Sequence, residues 1–364
     1  MGILAFIVVL GLIAIVHEYG HFVTARKSGI GVDEFGLGFP PRLWAKKIRG
    51  TEYSINLLPI GGFVRLHGEQ STDGKPDEKS FAQARVGRKL LVLVAGVVMN
   101  VILAWVLMAI VMGIGTRVAS SDIPADRHVQ ASNPQVLIYT NSGTAAAKAG
   151  ITNGDRLMSI NGQLFTSTEN LITYLQKNKY PTLDVVVEHQ GQIINYKISP
   201  DTANNTTRYG IGIEETTVVK YAWYIAPWYS LKYLGYATSQ TFIGLGQLVA
   251  GLFHGQVSDN VTGPVGIAVL TSEVRKFGLV SLMQFTAMLS LGFAVLNIVP
   301  FPALDGGRAA IVIGEAIAKR KMKYEMENAI HTVGFLLLIG LAIFLSVRDV
   351  ARYNLVNQLI HWFR

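Results

Sequence analysis

Residues 90–114, LLVLVAGVVMNVILAWVLMAIVMGI, run for 25 positions without a charge. A bilayer's hydrocarbon core takes about 20 apolar residues to cross as a helix. Inside it every backbone N–H and C=O must be bonded within the protein, which leaves helices and closed barrels as spanning structures. Such a run is a membrane helix before it is anything else. Three more apolar runs have spanning character, at 3–23, roughly 279–299 and, somewhat shorter, roughly 330–347. A fifth, 221–253, is broken by Pro227, Lys232, Ser239, Gln240 and several glycines, and reads as an amphipathic helix lying at the interface. Only 15% of the 364 residues are charged, against about a quarter in soluble domains.

The loops between spans orient the chain. Residues 24–89 hold 12 Lys/Arg against 7 Asp/Glu, and five more basic residues fall in 306–329, with Lys319, Arg320, Lys321 and Lys323 clustered. The positive-inside rule puts both stretches on the cytoplasmic side. The N-terminus and residues 115–278 are then expected outside. A fifth span at 221–253 would carry the second basic cluster to the outer face, which is a further reason to read that stretch as interfacial. No Lys or Arg precedes Arg26, so the positive leading region of a cleaved signal peptide is missing and the first segment is expected to be retained. The net charge of +8 is explained by these loops, and no basic patch interleaved with aromatics points to nucleic acid. The chain has no cysteine, which excludes disulfides and thiolate metal sites.

The first span carries an expensive anomaly, IAIVHEYGHFVT at 13–24. An ionised residue at mid-membrane costs about 2.5–3.5 kcal/mol on insertion scales. His17 and His21 are four residues apart and so share one face of a helix, one turn apart. That spacing lets two imidazoles reach one tetrahedral zinc, and Glu18 beside them is placed to take a proton from a zinc-bound water. Catalytic zinc usually has three protein ligands, and no third follows at short range. The candidate is Asp305 in LNIVPFPALDGGR (296–308), at the inner end of the third span. Loop charges alone bring it to the depth of His17 and His21. Pro300 and Pro302 break the helix before it, and Gly306 and Gly307 let the backbone turn there. Taken alone, Asp305 would be an ordinary helix-end carboxylate. Snorkelling of the histidines and Glu18 from the end of their span is the bland alternative for the motif.

Residues 125–217 read as a soluble insert. A small-residue helix followed by Ala149-Gly150, Gly154-Asp155 and Ile160-Asn161-Gly162, then two strands joined at HQGQ (189–192), resembles a bacterial PDZ domain. Such domains take a peptide strand at a sheet edge and hold its terminal carboxylate. YGIGI (209–213) resembles the carboxylate loop. The chain as a whole resembles the site-2 protease family of intramembrane zinc metalloproteases. HEYGH matches its first motif and NIVPFPALDGG its second, GVVMN (96–100) matches its second core span, and GFP (38–40) and LLPIGGFVRLHGE (57–69) are also typical. The likeness is nearest to the bacterial branch that regulates sigma factors and clears signal peptides, here with a single PDZ domain where several members carry two.

That resemblance implies Zn2+ completed by Asp305, with Asn297 and Pro300 shaping the substrate cleft. An interhelical hydrogen bond is an equal alternative for Asn297, and packing with Gly96 is the expected role of Asn100. Residues 51–68, with a turn expected at Gly61-Gly62, read as a β-hairpin, membrane-associated in the family. Gly61, Gly62 and Phe63 are then candidate substrate contacts, because an unwound substrate needs a strand edge to satisfy its freed backbone groups.

The expected fold is a polytopic α-helical membrane protein of about four spans, with that hairpin and an inserted α+β PDZ domain. Its divisions are a first span at 1–24, a cytoplasmic-side loop at 25–89 and a second span at 90–115. The insert follows at 125–217, an interfacial helical segment at 221–278 and a third span at 279–308 ending in LDGG. A cytoplasmic-side linker at 309–329, a fourth span at 330–348 and a tail at 349–364 complete the chain. The expected activity is zinc-dependent cleavage of transmembrane segments (anti-sigma factors or remnant signal peptides) after a prior extracytoplasmic cut. The expected setting is the bacterial inner membrane, with peptide C-termini at the PDZ domain and the lipid bilayer as further partners. A membrane-anchored PDZ adaptor with an inert metal motif is the competing reading.

Overall fold

The computed structural model describes residues 2–69, 77–119, 128–140, 143–177, 180–189, 191–203, 206–255 and 261–353. Residues 70–76 of the expected cytoplasmic-side loop, 125–127, 141–142, 178–179, 190 and 204–205 of the expected PDZ insert, 256–260 of the expected interfacial segment and 354–364 of the tail lie outside them. The chain divides into two compact units, one of residues 1–109 and 227–364, the other of residues 110–226.

The first unit opens with helix α1, Gly2–Lys27. It exposes Ile3, Leu4, Val8, Leu12 and Ile15, the surface of a helix that faces lipid. Arg26 and Lys27 close its last turn, where cations suit both the helix dipole and the membrane interface. Two long strands follow, β1 (Val32–Ile48) and β2 (Thr51–Leu66), joined at Arg49 and Gly50, both with positive φ, as a two-residue hairpin turn needs.

The strands fold back on themselves into four lanes. Residues Arg42 to Ile48 pair with Asn56 to Thr51, while Glu34 to Leu37 stand between Glu52 to Ile55 on one side and Arg65 to Gly62 on the other. Gly61-Gly62 is therefore not the tip of a two-stranded hairpin over 51–68. The 32–39 stretch is inserted between its two arms, a long-range pairing with no local sequence signal. Buried Glu34 ties all four lanes together, bonding from its own to Ser54 (2.6 Å), Arg42 (2.8 Å) and Arg65.

Helix α2, Val86–Ile114, completes the first pass through this unit and continues into the second. There β3 (Thr116–Ala119), β4 (Val129–Ala131), β5 (Gln135–Thr140), β6 (Asp155–Ile160), β7 (Gln163–Leu164), β8 (Leu183–His189), β9 (Gln192–Ile198) and β12 (Ile211–Tyr221) make one sheet, its main path running β3-β12-β5-β6-β8-β9. A small ribbon of β10 (Asp201–Ala203) and β11 (Thr206–Arg208) stands apart. Helix α3 (Ala145–Ala149) is capped by Thr144 and stopped by Gly150 at φ 101°, and α4 spans Thr168–Lys177. The core is aliphatic, with Ile138, Ile160, Leu171, Leu183, Val185 and Ile198 fully buried.

Back in the first unit, the 221–278 segment holds two helices, α5 (Ala226–Phe253) and α6 (Pro264–Lys276), followed by α7 (Leu279–Ile298). The first turn of α6 is capped from far along the chain: Asp349 Oδ2 accepts from the N–H of Gly263 (2.9 Å) and of Gly266 (2.8 Å).

LDGG does not end the third span. α7 stops at Ile298, and Asp305 opens a new helix, α8 (Asp305–Ala318). Pro300 forces Val299 into an extended conformation because its ring excludes the helical region for the preceding residue. The stretch expected as a linker from 309 is thus helical as far as Ala318, since AAIVIGEAIA (309–318) carries one charge and good helix formers. A Cβ on Gly306 would lie 2.4 Å from the Ile298 carbonyl oxygen, and one on Gly307 would lie 2.2 Å from that of Phe301. Close backbone approach, not a sharp turn, is what these glycines permit. The last helix, α9, runs Tyr324–Arg352, longer than the expected 330–348.

Four described helices, α1, α2, α7 and α9, are long and apolar enough to cross a membrane. The chain is a multi-pass membrane protein with a β region. Beside α1, a buried cluster of Ala25, Ile30, Val32, Leu66, Val92, Leu93, Ala309 and Val312 packs the ends of α1, α2 and α8 against the four-lane sheet.

Candidate metal centre

α1 presents His17 and His21 from one face, and α8 presents Asp305 from its first residue. His17 Nε2 lies 3.0 Å from Asp305 Oδ2, His21 Nε2 lies 3.3 Å from it, and the two imidazole nitrogens are 3.1 Å apart. Ligand atoms around a tetrahedral zinc, with bonds of about 2.0–2.1 Å, sit about 3.3–3.4 Å from one another. The triangle has the right size.

Its chemistry fits as well. His21 Nδ1 is 2.7 Å from the Val92 carbonyl oxygen, which can only accept, so the ring proton sits on Nδ1 and the lone pair on Nε2. Asp305 Oδ2 is buried and receives no hydrogen bond. The His21 lone pair and the Asp305 carboxylate therefore converge with His17 Nε2 on one point, and a buried carboxylate oxygen left without a donor is a cost that a divalent cation removes. Gly96 on α2 keeps the space open. A Cβ there would stand 2.5 Å from His21 Nε2 and 2.8 Å from His17 Nε2.

Glu18 lies alongside, next to the backbone of Val64. Gly62 is close as well, its Cβ position 3.3 Å from Glu18 Cγ. A cavity of about 180 Å³ is lined by His17, Glu18, His21, Asp305, Phe63 and Val64, together with residues of α2 and the Glu69–Arg308 ion pair. Of the expected substrate contacts, Phe63 lines this cavity and Gly62 abuts Glu18, while Gly61 packs against the Phe39 ring. Asn297 lies on the last turn of α7 and Pro300 in the link that follows; neither lines the cavity.

Several neighbours escaped sequence reasoning. The Val92 carbonyl belongs to the backbone and has no residue signature. Arg308 follows Asp305 by one turn and could have been suggested by that spacing. Asn100, expected only to pack with Gly96, is fully buried with its amide nitrogen 3.4 Å from His17 Nδ1.

Two imidazoles and a carboxylate, gathered in a chain with helices apolar enough to cross a membrane, point to a class, the membrane metallopeptidases. Residues 5–341 match Peptidase family M50, and the chain belongs to that family. It is 31% identical to a Clostridium perfringens protein named "Putative zinc metalloprotease", over 92% of this chain and 94% of the relative. It is 27% identical to the zinc metalloprotease RasP of Geobacillus kaustophilus, over 97% and 99% of the two chains. The regulator of sigma-W protease RasP of Bacillus subtilis is 26% identical over 96% and 98%.

Proposed function

We propose that this peptidase is a zinc-dependent intramembrane endopeptidase that cuts transmembrane segments of other membrane proteins. The observation that carries the reading is the partly buried triangle of His17 Nε2, His21 Nε2 and Asp305 Oδ2, in which the carboxylate oxygen has no hydrogen-bond donor. These three residues would hold the zinc. When bound, it supplies Lewis-acid chemistry, acidifying water and polarising a carbonyl. Glu18 takes the proton of the attacking water and returns it to the leaving nitrogen. Glu18 lines the same cavity as His17, His21 and Asp305.

A substrate helix must unwind before its carbonyls are open to attack, since they are bonded i to i−4. The freed groups then need partners in a dry setting. The 62–66 lane supports this step. It pairs with 32–37 on one side only among the described strands, and it carries Phe63 and Val64 into the cavity wall. A substrate strand added to that edge would run past Glu18. Asn297 and Pro300 remain candidates for shaping its path.

For the 110–226 unit we favour a PDZ-like peptide binder outside the cytoplasm, with the N-terminus also outside and the whole in a bacterial inner membrane. Among the described strands, Ile211–Glu215 of β12 pairs with β5 alone, and α4 lies near through Thr168 N–H bonded to Glu215. That edge and the Tyr209-Gly210 loop are where a peptide C-terminus would dock. Substrates already shortened outside, such as anti-sigma factors or remnant signal peptides, fit this arrangement.

The test compares parent and Glu18→Gln for zinc content and for cleavage of a model transmembrane peptide. The expected result is equal zinc with cleavage down by about 10²-fold or more, the scale of a lost general base. Full cleavage by the zinc-loaded variant overturns the role of Glu18. A parent with no zinc, and function indifferent to Glu18, would favour the membrane-anchored adaptor.

A further inference from the structure

One face of α2 addresses both histidines. Val92, Gly96 and Asn100 follow one another at four-residue spacing, so they stack along one stripe of the helix. At one end the Val92 carbonyl meets His21 Nδ1 at 2.7 Å. In the middle Gly96 leaves room for both rings. At the other end the Asn100 amide reaches His17 Nδ1 at 3.4 Å. Val92 thus fixes the proton of His21, and Asn100 occupies the equivalent position for His17.

Asn100 is fully buried in a span, where an amide without work is costly. It is also held in place. Ser290 of α7, itself fully buried, donates to the Asn100 carbonyl at 2.8 Å. The side-chain Oδ1 of Asn100, by contrast, accepts no hydrogen bond. An asparagine amide exchanges donor and acceptor ends by a half-turn about its last torsion. Here the half-turn breaks nothing beyond the long contact to His17.

We propose that Asn100 is a positioning residue for the metal centre: its Oδ1 accepts the His17 Nδ1 proton and so commits His17 Nε2 to the metal. The inference rests on the zinc reading above and deepens it. With His17 Nε2 facing Asp305 Oδ2 at 3.0 Å, a lone pair on Nε2 requires the proton on Nδ1, and a buried N–H needs an acceptor. Asn100 supplies it. In the absence of metal the same amide serves in the opposite sense, its N–H₂ donating to Nδ1 while the proton sits on Nε2. A side chain with both ends is suited to both states, which leucine or alanine cannot match.

The experiment measures zinc affinity by chelator competition on the full-length purified parent, Asn100→Leu and Asn100→Asp. Asn100→Leu keeps the volume and removes the acceptor, and should weaken zinc binding about 10–100-fold, the usual cost of a lost partner to a ligating histidine. Asn100→Asp retains an acceptor and should recover most of the affinity. In parallel, ¹⁵N NMR of histidine-labelled, zinc-loaded parent should report His17 protonated on Nδ1. That readout needs no variant to fold. Equal zinc affinity in parent and Asn100→Leu, or His17 without a proton on Nδ1, overturns the inference alone. A parent that binds no zinc overturns the metal reading, and this inference with it.

Discussion

The two compact units bury different things. In the 110–226 unit the interior is an aliphatic set around Ile138, Ile160 and Leu171, and a deeply buried carboxylate there, Asp155, is bonded to Thr152 and His189 nearby. In the other unit the buried residues include His21, Glu34, Asn100, Ser290 and Asp349, several of them on helices apolar enough to cross a membrane. Their bonds reach other elements: Val92 for His21, Ser54 for Glu34, His17 for the Asn100 amide, the Asn100 main-chain carbonyl for Ser290 and the start of α6 for Asp349. Burial in the first case yields a stable core. In the second, buried polar groups bond from one element to another, and those around α1 converge on one point with acceptors, Asn100 Oδ1 and Asp305 Oδ2, left over.

The strongest way to break that contrast is Gly96→Ala. In an ordinary membrane helix the change would be neutral or favourable, because alanine gains up to about 1 kcal/mol of helix propensity over glycine. Here the new methyl would stand 2.5 Å from His21 Nε2, so both rings must move. The expectation is loss of zinc and of cleavage, with thermal stability in chelator unchanged or raised. A variant that keeps full zinc would mean the ligand rings have slack that the geometry denies.

Next in size is Leu171→Ala. Leu171 is fully buried in the core of the 110–226 unit, and truncating such a side chain costs about 2–5 kcal/mol through lost burial and the cavity left behind. If the units divide labour as their interiors suggest, this substitution lowers the stability of residues 110–226, read by proteolysis or hydrogen exchange, while zinc content stays at parent level. Zinc loss matching that of Gly96→Ala would join what the comparison separates.

How far the sequence carried depended on whether a feature is local. His17, Glu18 and His21 announce themselves by spacing within one turn, and loop charges were enough to select Asp305, whose carboxylate stands 3.0 Å from His17. The four spans were legible from apolar length. The four-lane sheet was not, because it places residues 32–39 between two segments that follow them in the chain, and the glycine pair between those segments resembles a turn. α8 was hidden by the basic cluster just beyond it, which drew 309–329 toward a loop. The Val92 carbonyl had no signal at all, since any residue at that position offers one.

A polar group that is neither sunk in a span nor part of a core should behave differently again, and His67 is the case. It follows the 62–66 lane, with Nδ1 2.8 Å from Asp33 Oδ1 and Nε2 2.6 Å from Asp77 Oδ2. Bonds to Asp33 and then Asp77 raise its pKa above the ordinary 6.5. A group whose pKa is higher folded than unfolded stabilises fully below the unfolded value, and that contribution disappears as the pH climbs through the folded value. With 42% of the His67 side chain exposed, solvent and salt screen the pair, so the effect should stay below about 1 kcal/mol. Thermal melting in detergent from pH 5.5 to 9 should therefore show a small decline in stability above neutrality. His67→Gln should flatten that decline, and about 0.5 M salt should shrink it, because the Debye length falls below ~5 Å. Unchanged pH dependence in His67→Gln would assign the decline to other groups and leave His67 with a packing role alone.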